Sequence, residues 1–126
     1  MKPHIALVED NPDNRLLVHA LLEDEFEISE YENGLSALEG IRNSPPALVL
    51  LDISLPEMDG TEVLSRMRQE EELAGIPAIA LTAHAMAGDR ERFLGLGFDD
   101  YMTKPIVDEV ALIDAIHRLI RKAETP

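Results

Sequence analysis

The sequence predicts a doubly wound α/β fold, a parallel five-stranded sheet with helices on both faces, and three observations lead there. Short apolar runs at 4–8, 47–51 and 76–81 stop abruptly at Glu9, Asp52 and Thr82, as strands buried on both faces of a parallel sheet do. Between the runs lie segments whose apolar residues recur at three- and four-residue spacing, the period of helices packed on a sheet. The whole fits in 126 residues, inside the roughly 100–200 of one domain, with enough hydrophobic residues (45%) to fill a core without disulfides.

Each element has its own signal. The run 4–8 is a first buried strand ending in Glu9-Asp10. Asn11-Pro12 opens a helix, with Asn11 as cap and Pro12 in the first turn, where its missing N–H costs nothing. Leu16, Leu17, Ala20 and Leu21 are its expected inward face, and it ends near Leu22. The stretch 25–31 alternates polar and apolar residues and reads as an edge strand. Asn33-Gly34 is read as a turn, after which Leu35, Leu38 and Ile41 mark a helix that stops before Pro45.

A central strand then delivers Asp52 to a loop, and a third helix from Thr61 to about Gln69 turns Val63, Leu64 and Met67 inward. The acidic run 69–72 reads as a solvated helix end. A fourth strand spans 76–82, with Pro77 tolerable near its start. A helix from about Met86 to Leu96 ends at Gly95 and Gly97, with Arg90, Glu91 and Arg92 outward. Residues 98–103 contain a short fifth strand. The last helix carries Val110, Ile113, Ile116 and Ile120 on one stripe, beside Leu112 and Leu119. Right-handed crossovers and an edge-like second strand give the flavodoxin-like (βα)5 sandwich, strand order 2-1-3-4-5.

Charge narrows the function. With 25 acidic against 11 basic residues the net charge is -14, which argues against direct contact with nucleic acid or an anionic membrane and favours a divalent metal or a basic partner. The lack of cysteine removes thiol chemistry and fits a reducing compartment. No apolar run reaches membrane-spanning length and the first residues do not form a signal-peptide core, so a cytoplasmic location is expected. His4, His19, His84 and His117 show no metal-ligand spacing.

In a parallel sheet the carboxyl ends of the strands share one rim, here supplied with Glu9, Asp10, Asp52, Thr82 and Lys104. Crowded carboxylates repel unless a cation lies among them, and an all-oxygen ligand set suits Mg²⁺. A metal that takes phosphate oxygens, a hydroxyl and an ammonium together describe a phosphoryl-transfer site.

Glu9-Asp10, the run Leu51-Asp52-Ile53-Ser54-Leu55-Pro56-Glu57-Met58-Asp59-Gly60, Leu81-Thr82-Ala83 and Tyr101-Met102-Thr103-Lys104-Pro105 resemble the receiver domain of bacterial two-component response regulators, over nearly the whole chain. The resemblance implies a receiver over 1–122 with a tail at 123–126. It makes Asp52 the phosphoacceptor, with Thr82 and Lys104 completing the reacting set. Asp10 and Asp52, the backbone carbonyl of Ser54 and, through water, Glu9 become the Mg²⁺ ligands. Thr82 and Tyr101 become a switch pair, and Lys104-Pro105 a cis peptide. Ser54 and His84 become residues that tune phosphoryl lifetime.

The implied function is a phosphorylation-activated module, not an enzyme beyond its own phosphorylation and dephosphorylation. It takes its phosphoryl group from a histidine kinase or histidine phosphotransfer protein and signals through the surface of the fourth helix, fifth strand and fifth helix, as a monomer or a phosphorylation-dependent dimer. With the chain ending at Pro126, output through protein contact or onward relay is expected; a receiver cut from a hybrid kinase or multidomain regulator, or a degenerate receiver, are the alternatives. A small-molecule phosphatase needs a lid longer than any insertion here. An FMN binder needs an anion-welcoming loop after the first strand, and Glu9-Asp10-Asn11-Pro12-Asp13 is the opposite.

Overall fold

The computed structural model describes residues 2–83, 88–104, 106 and 108–124. Strands and helices alternate as β1 (His4–Val8), α1 (Pro12–Leu22), β2 (Glu27–Tyr31), α2 (Gly34–Asn43), β3 (Leu48–Asp52), α3 (Gly60–Gln69), β4 (Ala78–Thr82), α4 (Asp89–Leu96), β5 (Asp100–Thr103) and α5 (Glu109–Glu124). All pairings are parallel, and the sheet runs β2-β1-β3-β4-β5. This is the flavodoxin-like order expected, with β2 at an edge. α5 continues through Ala123 to Glu124.

Alternation along the strands divides the core in two. Ala6, Val8, Val49, Leu51 and Ala80 face α2 and α3, meeting Leu38, Ile41, Val63, Leu64 and Met67, with Phe93 of α4 joining them. Ile5, Leu7, Leu48, Leu50, Ile79 and Leu81 face α1 and α5, against Val18, Leu22, Leu112, Ile116 and Leu119. All five residues of β3 are buried, and its leucines contribute about 1.5–3 kcal/mol each in the hydrophobic transfer. The apolar runs of the sequence are continuous for this reason: neither face of a central strand meets water.

Helix starts follow the local chemistry. Asn11 Oδ1 accepts from the N–H of Asp13 (2.8 Å) and Asn14 (3.2 Å), with Pro12 in the first turn as expected. Asn33 accepts from the Ser36 N–H at 2.8 Å, so Asn33-Gly34 is a cap and first helical residue instead of a free turn. Asp59 caps α3, and Gly97, at φ 108°, ends α4 in the left-handed conformation that glycine adopts without strain. Residues 84–87, where the expected start of the fourth helix falls, lie outside those described.

The inward face of α1 differs from the expected one. Leu16 is 71% and Leu17 39% exposed, Ala20 also faces solvent, and Leu21 is only half-buried; Val18 and Leu22 are the buried pair. Leu35 and Val110 are likewise exposed, so the buried stripe of α2 runs Ala37, Leu38, Ile41 and that of α5 runs Leu112, Ala115, Ile116, Leu119, Ile120. Leu16 and Leu17 lie in the middle of α1 but off the face that carries Val18 and Leu22, while Leu35 and Val110 lie in the first turns of α2 and α5. Glu70 also departs from a purely solvated reading, since Arg42 grips its carboxylate through Nε at 2.9 Å and Nη2 at 2.8 Å.

At the amino ends of the strands Arg68 ties three segments together. Its guanidinium donates to the carbonyls of Ala74 (3.0 Å), Ile76 (2.6 Å) and Gly97 (3.1 Å) and lies 3.4 Å from Asp99 Oδ2.

Candidate functional site

β3 ends in Asp52, whose carboxylate is held from two sides. The Ser54 N–H donates to Oδ1 at 2.9 Å and Lys104 Nζ donates to Oδ2 at 2.9 Å. Only 1% of Asp52 is exposed. The loop that follows turns back under it: Gly60 N–H donates to the Ile53 carbonyl at 3.2 Å, and Glu57 takes a left-handed φ of 65° to make the turn.

β1 ends beside it and brings Glu9 in, buried to the same 1%, while Asp10 stays at the surface. Carboxylate oxygens of Glu9, Asp10 and Asp52 lie within 4.8 Å of one another, the one such group among the described residues. Lys104, just past β5, is positioned by its own N–H donating to the Thr82 carbonyl at 2.7 Å, and its ammonium reaches Glu9 Oε1 at 3.2 Å and Oε2 at 3.4 Å. Four strand ends therefore meet at one point, because register sets Asp52 opposite Leu81 and Thr82 opposite Thr103.

The electrostatics follow from burial. Glu9 is pushed up to about 7, by burial first and then by the Asp52 carboxyl beside it, against the lowering effect of Asn14 and Lys104. Asp52 goes the other way: burial would raise it, but Glu9, Lys104 and the Ser54 N–H outweigh that and hold it below the ordinary carboxylate range. Lys104 is raised above the usual lysine value because its two carboxylate partners outweigh the burial that opposes them. As pH falls the pair therefore takes its proton on Glu9 first, while Asp52 keeps its charge to lower pH.

The structure brings Glu9, Asp10, Asp52 and Lys104 together as the sequence predicted. Thr82 closes the fourth strand end, 4% exposed, and Tyr101 sits half-buried with its ring 5.7 Å from that of Phe93. Ser54 is exposed and contributes its backbone to Asp52. His84 and Pro105 lie outside the described residues, and with them the lifetime position and the cis peptide. Two residues were not anticipated: Asn14 Nδ2 donates to Glu9 Oε1 at 2.7 Å, and Arg15 Nη1 donates to the Glu9 carbonyl at 2.7 Å. The signal was present, since residues 14, 18 and 22 fall on one helical face.

An open parallel sheet with an acidic rim and one ammonium at its carboxyl edge defines a two-component signalling receiver. The chain belongs to the response regulator receiver domain family, whose family model matches residues 5–117. It is 43% identical over 108 residues to the sensor histidine kinase GacS of Pseudomonas protegens, covering 82% of this chain but 12% of that kinase. It is also 43% identical over 107 residues to the polar-differentiation response regulator DivK of Brucella anthropi, covering 84% of this chain and 87% of DivK. Among solved structures, the receiver domain of sensor histidine kinase PA1611 from Pseudomonas aeruginosa, which holds a magnesium ion coordinated in its active site cleft, superposes with a TM-score of 0.86 at 33% identity over 96% of this chain and 99% of that one. No helix among the described residues is long and apolar enough to cross a membrane.

Proposed function

We propose that this receiver accepts a phosphoryl group on Asp52 from a phosphohistidine, with Mg²⁺ bound at the acidic rim. The observation that carries the reading is Asp52 itself: a buried carboxylate bonded to Lys104 Nζ at 2.9 Å and flanked by Glu9 and Asp10. The donor set fits a hard divalent cation. All its atoms are oxygens, and three carboxylates with one ammonium leave two negative charges. Asp10, Asp52, the Ser54 carbonyl and, through water, Glu9 would hold Mg²⁺, which when bound neutralises the rim and the oxygens of the transferring group.

In the transfer an oxygen of Asp52 attacks phosphorus, the P–N bond breaks with its electron pair going to nitrogen, the donor imidazole leaves neutral with the proton its other ring nitrogen already carried, and an acyl phosphate remains. Lys104 exchanges a carboxylate partner for a phosphoryl oxygen. The Thr82 hydroxyl turns to the same group and Tyr101 rotates inward, changing the surface of α4, β5 and α5. Ser54 and His84 set the lifetime of the phosphoryl group. The chain performs no other catalysis, works in the cytoplasm, and is served by a histidine kinase or phosphotransfer protein. It acts as a monomer or a phosphorylation-dependent dimer.

The likeness to GacS favours a second reading, a receiver module of a hybrid kinase. The chemistry at Asp52 is the same in both. Intact-mass spectrometry after incubation with acetyl phosphate tests that chemistry. One added phosphoryl group is expected, dependent on Mg²⁺ and absent from Asp52→Ala; an unmodified native protein would instead support a degenerate receiver acting by binding alone.

A further inference from the structure

Glu9 is held at both its ends by consecutive residues of α1. The Arg15 guanidinium takes its main-chain carbonyl at 2.7 Å, and the Asn14 amide takes its carboxylate at 2.7 Å. Lys104, the other partner of that carboxylate, is farther away, at 3.2 and 3.4 Å. A buried glutamate has one more side-chain torsion than an aspartate and needs an anchor to hold a single direction. Asn14 is a rigid one, because its own N–H is fixed by the Asn11 cap at 3.2 Å and Val18 and Leu22 seat the same helical face on the sheet.

We propose that Asn14 is the positioning residue of the cation pocket, holding Glu9 toward the rim and keeping it there when Lys104 leaves it for a phosphoryl oxygen. This rests on the Mg²⁺ reading above. The chemistry of the side chain suits the task. An amide donates a hydrogen bond without adding charge, so the two excess negative charges of the rim remain available to a divalent ion. A lysine or arginine at the position would cancel one of them; an aspartate would repel Glu9. Partners that orient a metal-binding carboxylate from outside the ligand set act in this way in many sites.

The test is calorimetric titration of MgCl2 into the native protein, Asn14→Ala, Asn14→Asp, Glu9→Ala and the Asn14→Ala/Glu9→Ala double variant, each first shown to be folded by its melting curve in EDTA. Asn14→Ala is expected to weaken Mg²⁺ binding about 10-fold, and to weaken it no further once Glu9 is gone, because its effect passes through Glu9. Asn14→Asp, which keeps the shape, separates positioning from charge should the alanine variant fail to fold. Positioning predicts weaker binding despite the added negative charge, and tighter binding overturns the proposal. Unchanged affinity in Asn14→Ala, or an equal loss with and without Glu9, overturns it as well. A native protein that binds no Mg²⁺ removes the cation reading itself and this inference with it.

Discussion

The α-carbon of Gly60 sits against the backbone of Asp52 so closely that an added Cβ would lie 2.3 Å from the Asp52 carbonyl oxygen and 2.8 Å from the Ile53 α-carbon. Both neighbours are main chain, and neither can rotate out of the way. Gly60→Ala is therefore expected to shift the end of β3, destabilising the fold by about 1–3 kcal/mol in denaturant titrations and slowing modification of Asp52 by acetyl phosphate. Unchanged stability would mean that the loop has slack the close contact denies.

The raised pKa of Glu9 makes the metal-free protein sensitive to pH. Its folded value of about 7 exceeds the ordinary 4.5, so between those values the native state binds more protons than the unfolded one. Stability contributed by this group is full below about 4.5 and is lost as pH rises to about 7. Melting in EDTA across that window should show the decline, and Glu9→Gln should flatten it.

Lys104 is the counter-charge of two buried carboxylates at 2.9 and 3.2 Å. Removing one partner of a buried pair strands the other, at a cost of roughly 3–5 kcal/mol. Lys104→Ala should show a loss of about that size at pH 8 and a smaller one at pH 5, where Glu9 is protonated. Equal losses at the two pH values would contradict the pairing described here.

Arg68 supports the opposite end of the sheet through three carbonyls. Arg68→Ala is expected to cost about 2 kcal/mol, and Arg68→Lys to recover little of it, since a point ammonium cannot reproduce the planar fork. Acetyl-phosphate labelling of Asp52 should be unchanged in both variants wherever they remain folded.

β1, β3 and β4 were legible because burial on both faces writes a continuous apolar run, and the order followed once the alternation of β2 marked it as an edge. The rim, too, was legible, since the runs of β1, β3 and β4 stop at Glu9, Asp52 and Thr82. Helix faces were harder to read. Leu16, Leu17, Leu35 and Val110 satisfy helical spacing yet are exposed, and in a helix as rich in leucine as α1 spacing alone does not choose between two apolar faces. Asn14 lies four and eight residues before Val18 and Leu22, the buried pair that the stripe of Leu16, Leu17, Ala20 and Leu21 left out, and its bond to Glu9 went unseen. Lys104 could be placed at the rim from sequence, whereas its engagement with both carboxylates depends on side-chain reach.

Strands of five residues hold the Arg68 end of the sheet and the Asp52 end apart by roughly 16 Å, at about 3.3 Å per residue. Sites that far apart, sharing no partner, contribute additively to stability. The molecule is thus free to drift in sequence at one end while the other is under selection for reactivity. A randomised library at 68, 74–76, 97 and 99 should sort its members by thermal endurance alone, with labelling of Asp52 unchanged in those that fold.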